Sequence, residues 1–422
     1  MASDSIVTFE ELEGESELMP PEMYAANLVE WALDRHASDL FVSDDERSVV
    51  ISVRRLGRVE IVRRLAREYG HRLQGHLRVI AGSDAGEMIR PTEGRGVLNT
   101  PNGGNVDLRL SSMPTLFGQD VAVRLFDPAR GARGMDNLGI DAADLAKLKT
   151  LLDRPSGLIL VAGPVASGKS STLYAAIDHL NDGSRKIHTL EDPIEHAVAG
   201  VMQSQVNLRA GLDFAELLST VLRHSPDVIM IGEIRDAKTA STAVRAGASG
   251  QLVLATIHAK TSAEAIDVML QHGTNSKFLA GALVGIVSQR LIRRLCPECR
   301  QPIQIDGELP IPSALQNLVG DEGVTLYEAV GCDACYGDGF QSLSCLPEIM
   351  TVDESIAEAI ASGVSAADIQ FQAIKNNMLT LPQVAMMRVL SGQTTAHEAN
   401  RVVADPQLAA LAARVRQHSS NS

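Results

Sequence analysis

The chain has 422 residues, enough for two or three domains with hydrophobic cores of their own. Its formal net charge of −14 disfavours a general nucleic-acid binder, because such a protein needs a basic surface to neutralise phosphates. No apolar run approaches the roughly 18 residues of a membrane span, and the acidic N-terminus lacks the apolar stretch of a secretory signal. Five cysteines are too few for a disulfide scaffold in a chain of this length. We therefore expect the protein in a reducing cytoplasm.

The first 127 residues divide into an acidic tail and a small domain. Residues 1–22 contain seven acidic side chains and no basic ones, so we expect residues 1–20 to form a flexible acidic tail. A helix is predicted over Met23–His36, and short alternating strands follow it, which predicts a small α+β domain over residues 21–127. The predicted strands are Val49–Val53, Val59–Val62, Val106–Leu110 and Asp120–Leu125.

A second, larger unit follows a predicted linker at residues 128–137, which are rich in Gly, Arg and Pro. Strand-like apolar runs alternate with helical stretches over residues 138–404, which predicts an α/β fold with a mostly parallel sheet covered on both faces. Residues 296–345 bear cysteines, residues 350–404 are predicted to be helical, and residues 405–422 are predicted to be disordered. The predicted strands are Leu158–Ala162, Lys186–Leu190, Val228–Ile231 and Leu252–Ile257.

A phosphate-binding loop of the form GxxxxGK[ST] lies between the first of these strands and a helix, which is the context the motif requires. Its backbone N–H groups would surround the phosphates of ATP, Lys169 would neutralise the β- and γ-phosphates, and Ser170 would offer its hydroxyl to Mg²⁺. The alternative is a chance match on a turn, and Ala166 departs from the commoner glycine. The motif comprises Gly163, Pro164, Val165, Ala166, Ser167, Gly168, Lys169 and Ser170, and Ser171 follows it.

A second carboxylate is expected close to this loop. The apolar strand Val228–Ile231 is flanked by Asp227 and Glu233, and a parallel strand would place Glu233 at the edge of the sheet where α/β proteins bind ligands. Glu233 is therefore a candidate to orient the attacking water, a role worth about 10²–10⁴ in rate. The alternative is an ordinary surface carboxylate after a strand.

Four cysteines form two CxxC pairs, separated by 32 residues. Two such pairs can meet in a tetrahedral Cys₄ zinc site, and a redox-active dithiol pair is the alternative. The zinc ligands would be Cys296, Cys299, Cys332 and Cys335, and Cys345 is predicted to be a free thiol.

Taken together, four motifs in this order resemble those of the ATPases that drive type II secretion and type IV pilus assembly. The resemblance covers about residues 24–404 and implies a RecA-like P-loop NTPase domain, preceded by a small PAS-like α+β domain and carrying the zinc subdomain and C-terminal helices. The motifs are the Walker A loop at 163–170, the acidic box Thr189–Glu195, the Walker B segment Asp227–Asp236 and the histidine box Ser249–His258.

The resemblance also implies roles for residues outside the phosphate loop. Glu191, Asp192 and Glu195 would line the catalytic site near Mg²⁺ and the γ-phosphate, although acids before Pro193 are also common as turn residues. His258 would sense the γ-phosphate or couple to a neighbouring subunit, and a buried core histidine is the alternative. The family usually has a further histidine where this chain has Gln251.

Three arginines match positions that the family uses to complete the site. Arg109 and Arg124 lie in two predicted strands of the small domain, and Arg223 matches one of a further pair whose other position is Ser219 here. An arginine delivered from another domain or subunit stabilises transition-state charge and is worth about 10³–10⁵ in rate in other NTPases. On their own, Arg109 and Arg124 would be read as surface arginines.

The implied function is a homohexameric ATP-hydrolysing motor that extracts and assembles pilin-like subunits. It would work at the cytoplasmic face of the inner membrane, held there through a platform protein and other system components, with no direct contact to nucleic acid. Departures at Ser219, Gln251, Phe41 and Ala166 motivate one alternative, a nucleotide-binding regulatory scaffold with weak turnover. A DNA-uptake or conjugation ATPase of the same superfamily is the other.

Overall fold

The computed structural model describes residues 19–126, 134–305, 309–312, 315–316 and 324–421. The chain separates into two compact units, Met1–Gly131 and Ala132–Ser422, and their boundary lies within the range predicted as a linker. The predicted acidic tail lies outside the described residues up to residue 18, as do residues 128–133 of the linker. Within the described ranges, no helix is long and apolar enough to cross a bilayer.

Over its described residues 19–126, the N-terminal unit is an antiparallel sheet of six strands with two helices packed on it, which confirms the small α+β domain. The strand order is β3-β2-β1-β6-β5-β4, and alternating residues of the strands point into a core shared with both helices. Its elements are α1 (Pro21–Asp34), β1 (Ala37–Asp44), β2 (Val49–Arg55), β3 (Arg58–Leu65), α2 (Arg67–Ile80), β4 (Thr92–Asn99), β5 (Asn105–Thr115) and β6 (Gly118–Phe126).

The C-terminal unit is built on a seven-stranded sheet in the order β15-β12-β7-β11-β10-β8-β9. All neighbouring strands of this sheet run parallel except β12 and β15, which are antiparallel. The strands are β7 (Gly157–Ala162), β8 (Ile187–Glu191), β9 (Met202–Gln205), β10 (Val228–Ile231), β11 (Leu252–Ile257), β12 (Leu283–Leu295) and β15 (Phe340–Thr351).

Helices cover both faces of this sheet, and every residue of β7, β8, β10 and β11 is buried. This burial explains why these strands are continuous apolar runs rather than alternating ones, and it confirms the predicted covered, mostly parallel sheet. The helices up to β12 are α3 (Ala142–Leu152), α4 (Lys169–Leu180), α5 (Phe214–Val221), α6 (Ala237–Ala248), α7 (Ser262–Gln271) and α8 (Ser276–Ala282).

Between the two cysteine pairs the chain forms an antiparallel hairpin of β13 (Gln301–Ile305) and β14 (Val324–Glu328). The hairpin shares a hydrophobic cluster with the C-terminal helices, through residues such as Ile305, Leu326 and Val389. The C-terminal helices are α9 (Glu354–Ser362), α10 (Ala366–Lys375), α11 (Leu381–Leu390), α12 (Ala396–Val403) and α13 (Pro406–Asn421).

The structure corrects the prediction that residues 405–422 are disordered. Residues Pro406–Asn421 form α13, and Leu408, Leu411, Ala412 and Val415 are buried in the same cluster as the hairpin. These four residues recur at helical spacing and form one apolar stripe. The segment was predicted to be disordered because the polar residues around these four make its overall composition polar.

A buried ion pair fastens the C-terminal helices to β12. Glu398 on α12 accepts hydrogen bonds from Arg293 Nη2 (2.9 Å) and from Arg401 Nε (2.8 Å) and Nη2 (2.6 Å). Burial opposes ionisation of Glu398, but the hydrogen bonds from Arg401 and Arg293 outweigh it and hold the pKa of Glu398 below its ordinary value. Glu398 therefore stabilises the fold as a carboxylate.

This geometry predicts an acid-sensitive contribution to stability. A carboxyl whose folded pKa is depressed contributes stability above its unfolded pKa and loses it as the pH falls through the folded pKa. Glu398→Gln should lower the free energy of unfolding by about 3–5 kcal/mol at pH 7, and the gap to wild type should narrow in acid. Urea unfolding across pH measures both, with the exposed Glu358→Gln as control. If the difference in unfolding free energy between wild type and Glu398→Gln stayed constant with pH, the carboxylate of Glu398 would not be the stabilising group.

Candidate functional site

The phosphate loop connects the carboxyl end of β7 to the first residue of α4, so the strand–loop–helix context of the motif is present. Gly163 has a φ of +153°, and a Cβ there would lie 2.4 Å from Ser167 Oγ and 2.7 Å from Gln289 O. Gly168 has a φ of +87°. Both positions require glycine, one because of a close approach and the other because of its left-handed backbone.

Ala166 adopts a φ of +60°, in the left-handed region that favours glycine. An L-residue with a Cβ pays of order 1–3 kcal/mol to stay there. The methyl group is accommodated, but the loop carries strain that the commoner glycine would not.

Lys169 is the first residue of α4, and its ammonium group donates to Gly163 O (2.8 Å) and Pro164 O (2.9 Å). Burial lowers the pKa of Lys169, and the nearby charge of Glu233 opposes that shift. Ser170 and Ser171 lie exposed on the first turn of the helix, beside Lys169. The helix N-terminus and the loop N–H groups form a site suited to phosphate oxygens.

Gln289 on β12 holds the phosphate loop through side-chain hydrogen bonds, and this role was not predicted from the sequence. Its side chain is fully buried, donates from Nε2 to Ser167 O (2.8 Å) and accepts from Thr172 Oγ1 (2.9 Å). The amide therefore joins the loop to the first turns of α4. A buried polar residue in a strand next to an arginine-rich run was the available signal, because such a group needs partners.

Glu233 follows β10 at the carboxyl edge of the sheet, and its side chain is only 11% exposed. Its carboxylate contacts His258 Nε2 and Arg235 Nε. His258 directly follows β11 and is half exposed, so the core-histidine alternative does not hold. Arg235 Nη1 in turn lies 3.6 Å from Asp192 Oδ2.

The structure thus brings Glu233, His258 and Asp192 together and adds Arg235, which was not predicted. Arg235 lies two residues beyond Glu233 in the Walker B segment. Its role could not be read from the sequence, because Asp192 becomes its neighbour only when β8 and β10 pair.

Glu191 ends β8 and is buried, with hydrogen bonds to three side chains. Thr189 Oγ1 (2.6 Å) and Gln203 Nε2 (3.0 Å) donate to one carboxylate oxygen, and the hydroxyl of Tyr174 donates to the other. Glu195 is exposed and lies on the loop that follows. Asp192 and Glu195 are exposed, and of these two carboxylates Asp192 is the one joined to Glu233, through Arg235.

The predicted arginines lie in both units. Arg109 and Arg124 are paired residues of β5 and β6 in the N-terminal unit, where Arg124 Nε lies 3.2 Å from Asp39 Oδ1 and Arg109 lies over the Phe126 ring at 4.8 Å. In the C-terminal unit, Arg223 donates to the carbonyl of Ser219 (3.0 Å) and to Thr220 Oγ1 (3.2 Å).

The four cysteines predicted as zinc ligands meet, and their sulfur atoms lie within 4.8 Å of one another. Cys296 Sγ is 3.9 Å from Cys332 Sγ, and Cys335 Sγ is 3.8 Å from both Cys299 Sγ and Cys332 Sγ. A tetrahedral zinc ion with Zn–S bonds of about 2.3 Å separates its ligands by about 3.8 Å. The donor set and spacing therefore fit Zn²⁺.

Cys345 on β15 is apart from this cluster and is buried. Burial raises its pKa to about 12, and the charge of Arg388 opposes that shift. The thiol therefore stays protonated near neutral pH and is shielded from reagents.

Comparison with known proteins places this geometry in a family. A sequence model of the family described as "Type II/IV secretion system protein" matches residues 15–401. The chain belongs to this family. It is 36% identical to a type II secretion system protein E of Dickeya dadantii over 391 residues, 93% of this chain and 77% of that protein. It is 35% identical to a type IV pilus assembly ATPase PilB of Myxococcus xanthus over 406 residues, 94% and 71% of the two chains.

Solved structures agree on the fold. The Legionella pneumophila ATPase DotB superposes with a TM-score of 0.67 at 18% identity, over 90% of this chain and 94% of that one. The pilus retraction motor PilT with bound ADP gives a TM-score of 0.57 at 24% identity, over 90% and 97%. With these neighbours, the C-terminal unit is a RecA-like P-loop domain, as the resemblance implied.

The cysteine cluster predicts bound zinc in the purified protein. Cys332→Ser should lose the metal and loosen the β13–β14 hairpin, since structural zinc supplies about 10–16 kcal/mol of apparent binding energy. Metal analysis and thiol titration measure both effects, with Cys345→Ala, outside the cluster, as the control that keeps its zinc. Native wild-type protein with no metal and four reactive thiols would contradict the assignment.

Proposed function

We propose that the chain is a Mg²⁺-dependent ATPase that works as a homohexameric motor of a type II secretion or type IV pilus assembly system. The observation that carries the proposal is the meeting of a complete phosphate loop with Glu233 and His258 at one edge of the parallel sheet. This is where α/β proteins bind nucleotides.

Each residue of the site has a chemical task under this proposal. The loop from Gly163 to Ser171 would cradle the phosphates, with Lys169 on the β- and γ-phosphates and Ser170 toward Mg²⁺. The metal would neutralise charge on the transferred phosphoryl group. Glu233 would orient the attacking water, and its contact with His258 would hold the carboxylate in place. Asp192 and Glu195 would border the metal and the γ-phosphate.

Completion of the site would require a second subunit. Arg109, Arg124 and Arg223 are the candidates to reach a neighbour's γ-phosphate, since an arginine supplied in trans stabilises transition-state charge. The side chain of Arg124 is 58% exposed, so it is available for such a contact. A monomer would then hydrolyse ATP slowly.

Support for the cellular task comes from the named relatives, a type II secretion protein E and a pilus assembly ATPase. We place the motor at the cytoplasmic face of the inner membrane, held there by a platform protein, where it drives pilin-like subunits out of the membrane. Zn²⁺ bound to the cysteine cluster would hold the β13–β14 hairpin, and no nucleic acid would take part.

The proposal predicts that ATP turnover per subunit rises with protein concentration and requires Mg²⁺. Lys169→Ala should abolish hydrolysis by removing the charge on the phosphates. Glu233→Gln should lower hydrolysis about 10²–10⁴-fold while leaving nucleotide binding intact, because the water loses its base.

Arg124→Ala tests the arginine proposed to act on a neighbouring subunit's γ-phosphate, and the loss of its surface pair with Asp39 costs at most about 1 kcal/mol of stability. It should reduce turnover in confirmed oligomers, and Arg90→Ala, an exposed arginine of the same unit, should not. The measurement is the rate of phosphate release per subunit, for wild type and each variant, over a range of protein concentrations. Turnover that is independent of concentration, or unchanged in Glu233→Gln, would overturn the proposal.

A further inference from the structure

The hydroxyl of Tyr174 joins two segments that the motifs treat separately. Tyr174 lies on α4, one turn and a half beyond Lys169, and is 5% exposed. Its hydroxyl donates to Glu191 Oε2 and accepts the backbone N–H of Glu195 at 3.2 Å. One oxygen atom therefore ties the helix of the phosphate loop to both ends of the acidic segment 191–195.

The ring of Tyr174 strengthens this connection. It stacks on the His196 ring, with the ring centroids 3.8 Å apart and the planes inclined by 29°. His196, the residue that directly follows the acidic segment, is thus held as well. Burial raises the pKa of Tyr174, and its hydrogen bond to Glu191 raises it further, so the hydroxyl keeps the proton that it donates.

Glu191 serves as the anchor of this arrangement. Both of its oxygens are taken by protein donors, namely Thr189, Gln203 and Tyr174, and the side chain is buried. A carboxylate committed in this way holds the segment rather than binding a ligand. Asp192 and Glu195 are exposed to solvent, and Glu191 positions these two carboxylates by anchoring the segment that carries them.

We propose that Tyr174 is a positioning residue whose hydroxyl, through Glu191 and the Glu195 amide, fixes the acidic segment relative to the phosphate loop. The proposal rests on the ATPase function proposed above. A displacement of about 1 Å in a catalytic group can cost about 100-fold in rate. Loss of the hydroxyl therefore affects the chemical step more than nucleotide binding, because the loop itself is held by Gln289.

Tyr174→Phe removes the hydroxyl and keeps the ring on His196. We expect kcat per assembled subunit to fall at least about 10-fold, while the affinity for a fluorescent ADP analogue with Mg²⁺ stays within about twofold. Tyr327→Phe is the matched control, since Tyr327 lies on β14 with its ring against Arg300, and it should leave both quantities unchanged. An equal loss of affinity and kcat in Tyr174→Phe would overturn the proposal.

Hydrogen exchange gives a second readout that needs no turnover. In Tyr174→Phe the Glu195 amide loses its acceptor, so its exchange should accelerate at least about 10-fold, whereas helix α4 should stay protected. If wild type hydrolyses no ATP, the proposed function fails, and faster exchange at Glu195 still supports the positioning role. Unchanged exchange would overturn that role whatever the turnover.

A double-mutant cycle with Glu191→Gln tests the route of the effect. If Tyr174 acts through Glu191, the double variant should lose no more kcat than the more damaging single variant. Losses that multiply would show two independent roles and would overturn Glu191 as the anchor.

Discussion

The carboxyl ends of four buried parallel strands, β7, β8, β10 and β11, meet at one edge of the seven-stranded sheet. The phosphate loop, Asp192, Glu233 and His258 each follow one of these ends. Burial on both faces fixes the register of the strands, because a slip would expose apolar residues or bury polar ones. The distances between the candidate groups are therefore set by the separation of neighbouring strands, about 4.8 Å, and not by flexible loops.

Buried polar side chains near this edge hold the loops that follow the strands in fixed positions. Gln289 holds the loop and Tyr174 holds the acidic segment, and each is buried with its polar atoms paired. Polar groups without water bond only to the partners that the fold supplies, which makes such contacts specific. The strand that carries Gln289 ends at Leu295, directly before Cys296, so β12 borders the phosphate loop near its middle and the cysteine cluster at its end.

Features set by neighbouring residues could be predicted, and features set by tertiary contacts could not. The predicted strands, the phosphate loop and each of the two CxxC pairs depend on local spacing and all are present, whereas β12 and β15 were not predicted. The contact of Arg235 with Asp192 and the hydrogen bonds of Glu191 with Tyr174 and Gln203 escaped prediction, because these residues become neighbours only after the sheet and its helices pack. The helix α13 escaped because its apolar stripe is diluted by polar residues, and its stability comes from the cluster it covers. Ala166 revealed its strain only through its backbone angle.

We propose that Glu233 is the carboxylate that orients the attacking water at this edge. A crystal structure of the assembled protein with Mg²⁺, ADP and aluminium fluoride tests it most directly, because the fluoride group mimics the transferred phosphoryl. If Glu233 has this role, a water lies in line with the aluminium and within about 2.6–3.2 Å of a Glu233 carboxylate oxygen. An in-line water held by Asp192 or Glu195, with Glu233 still committed to Arg235, would contradict it.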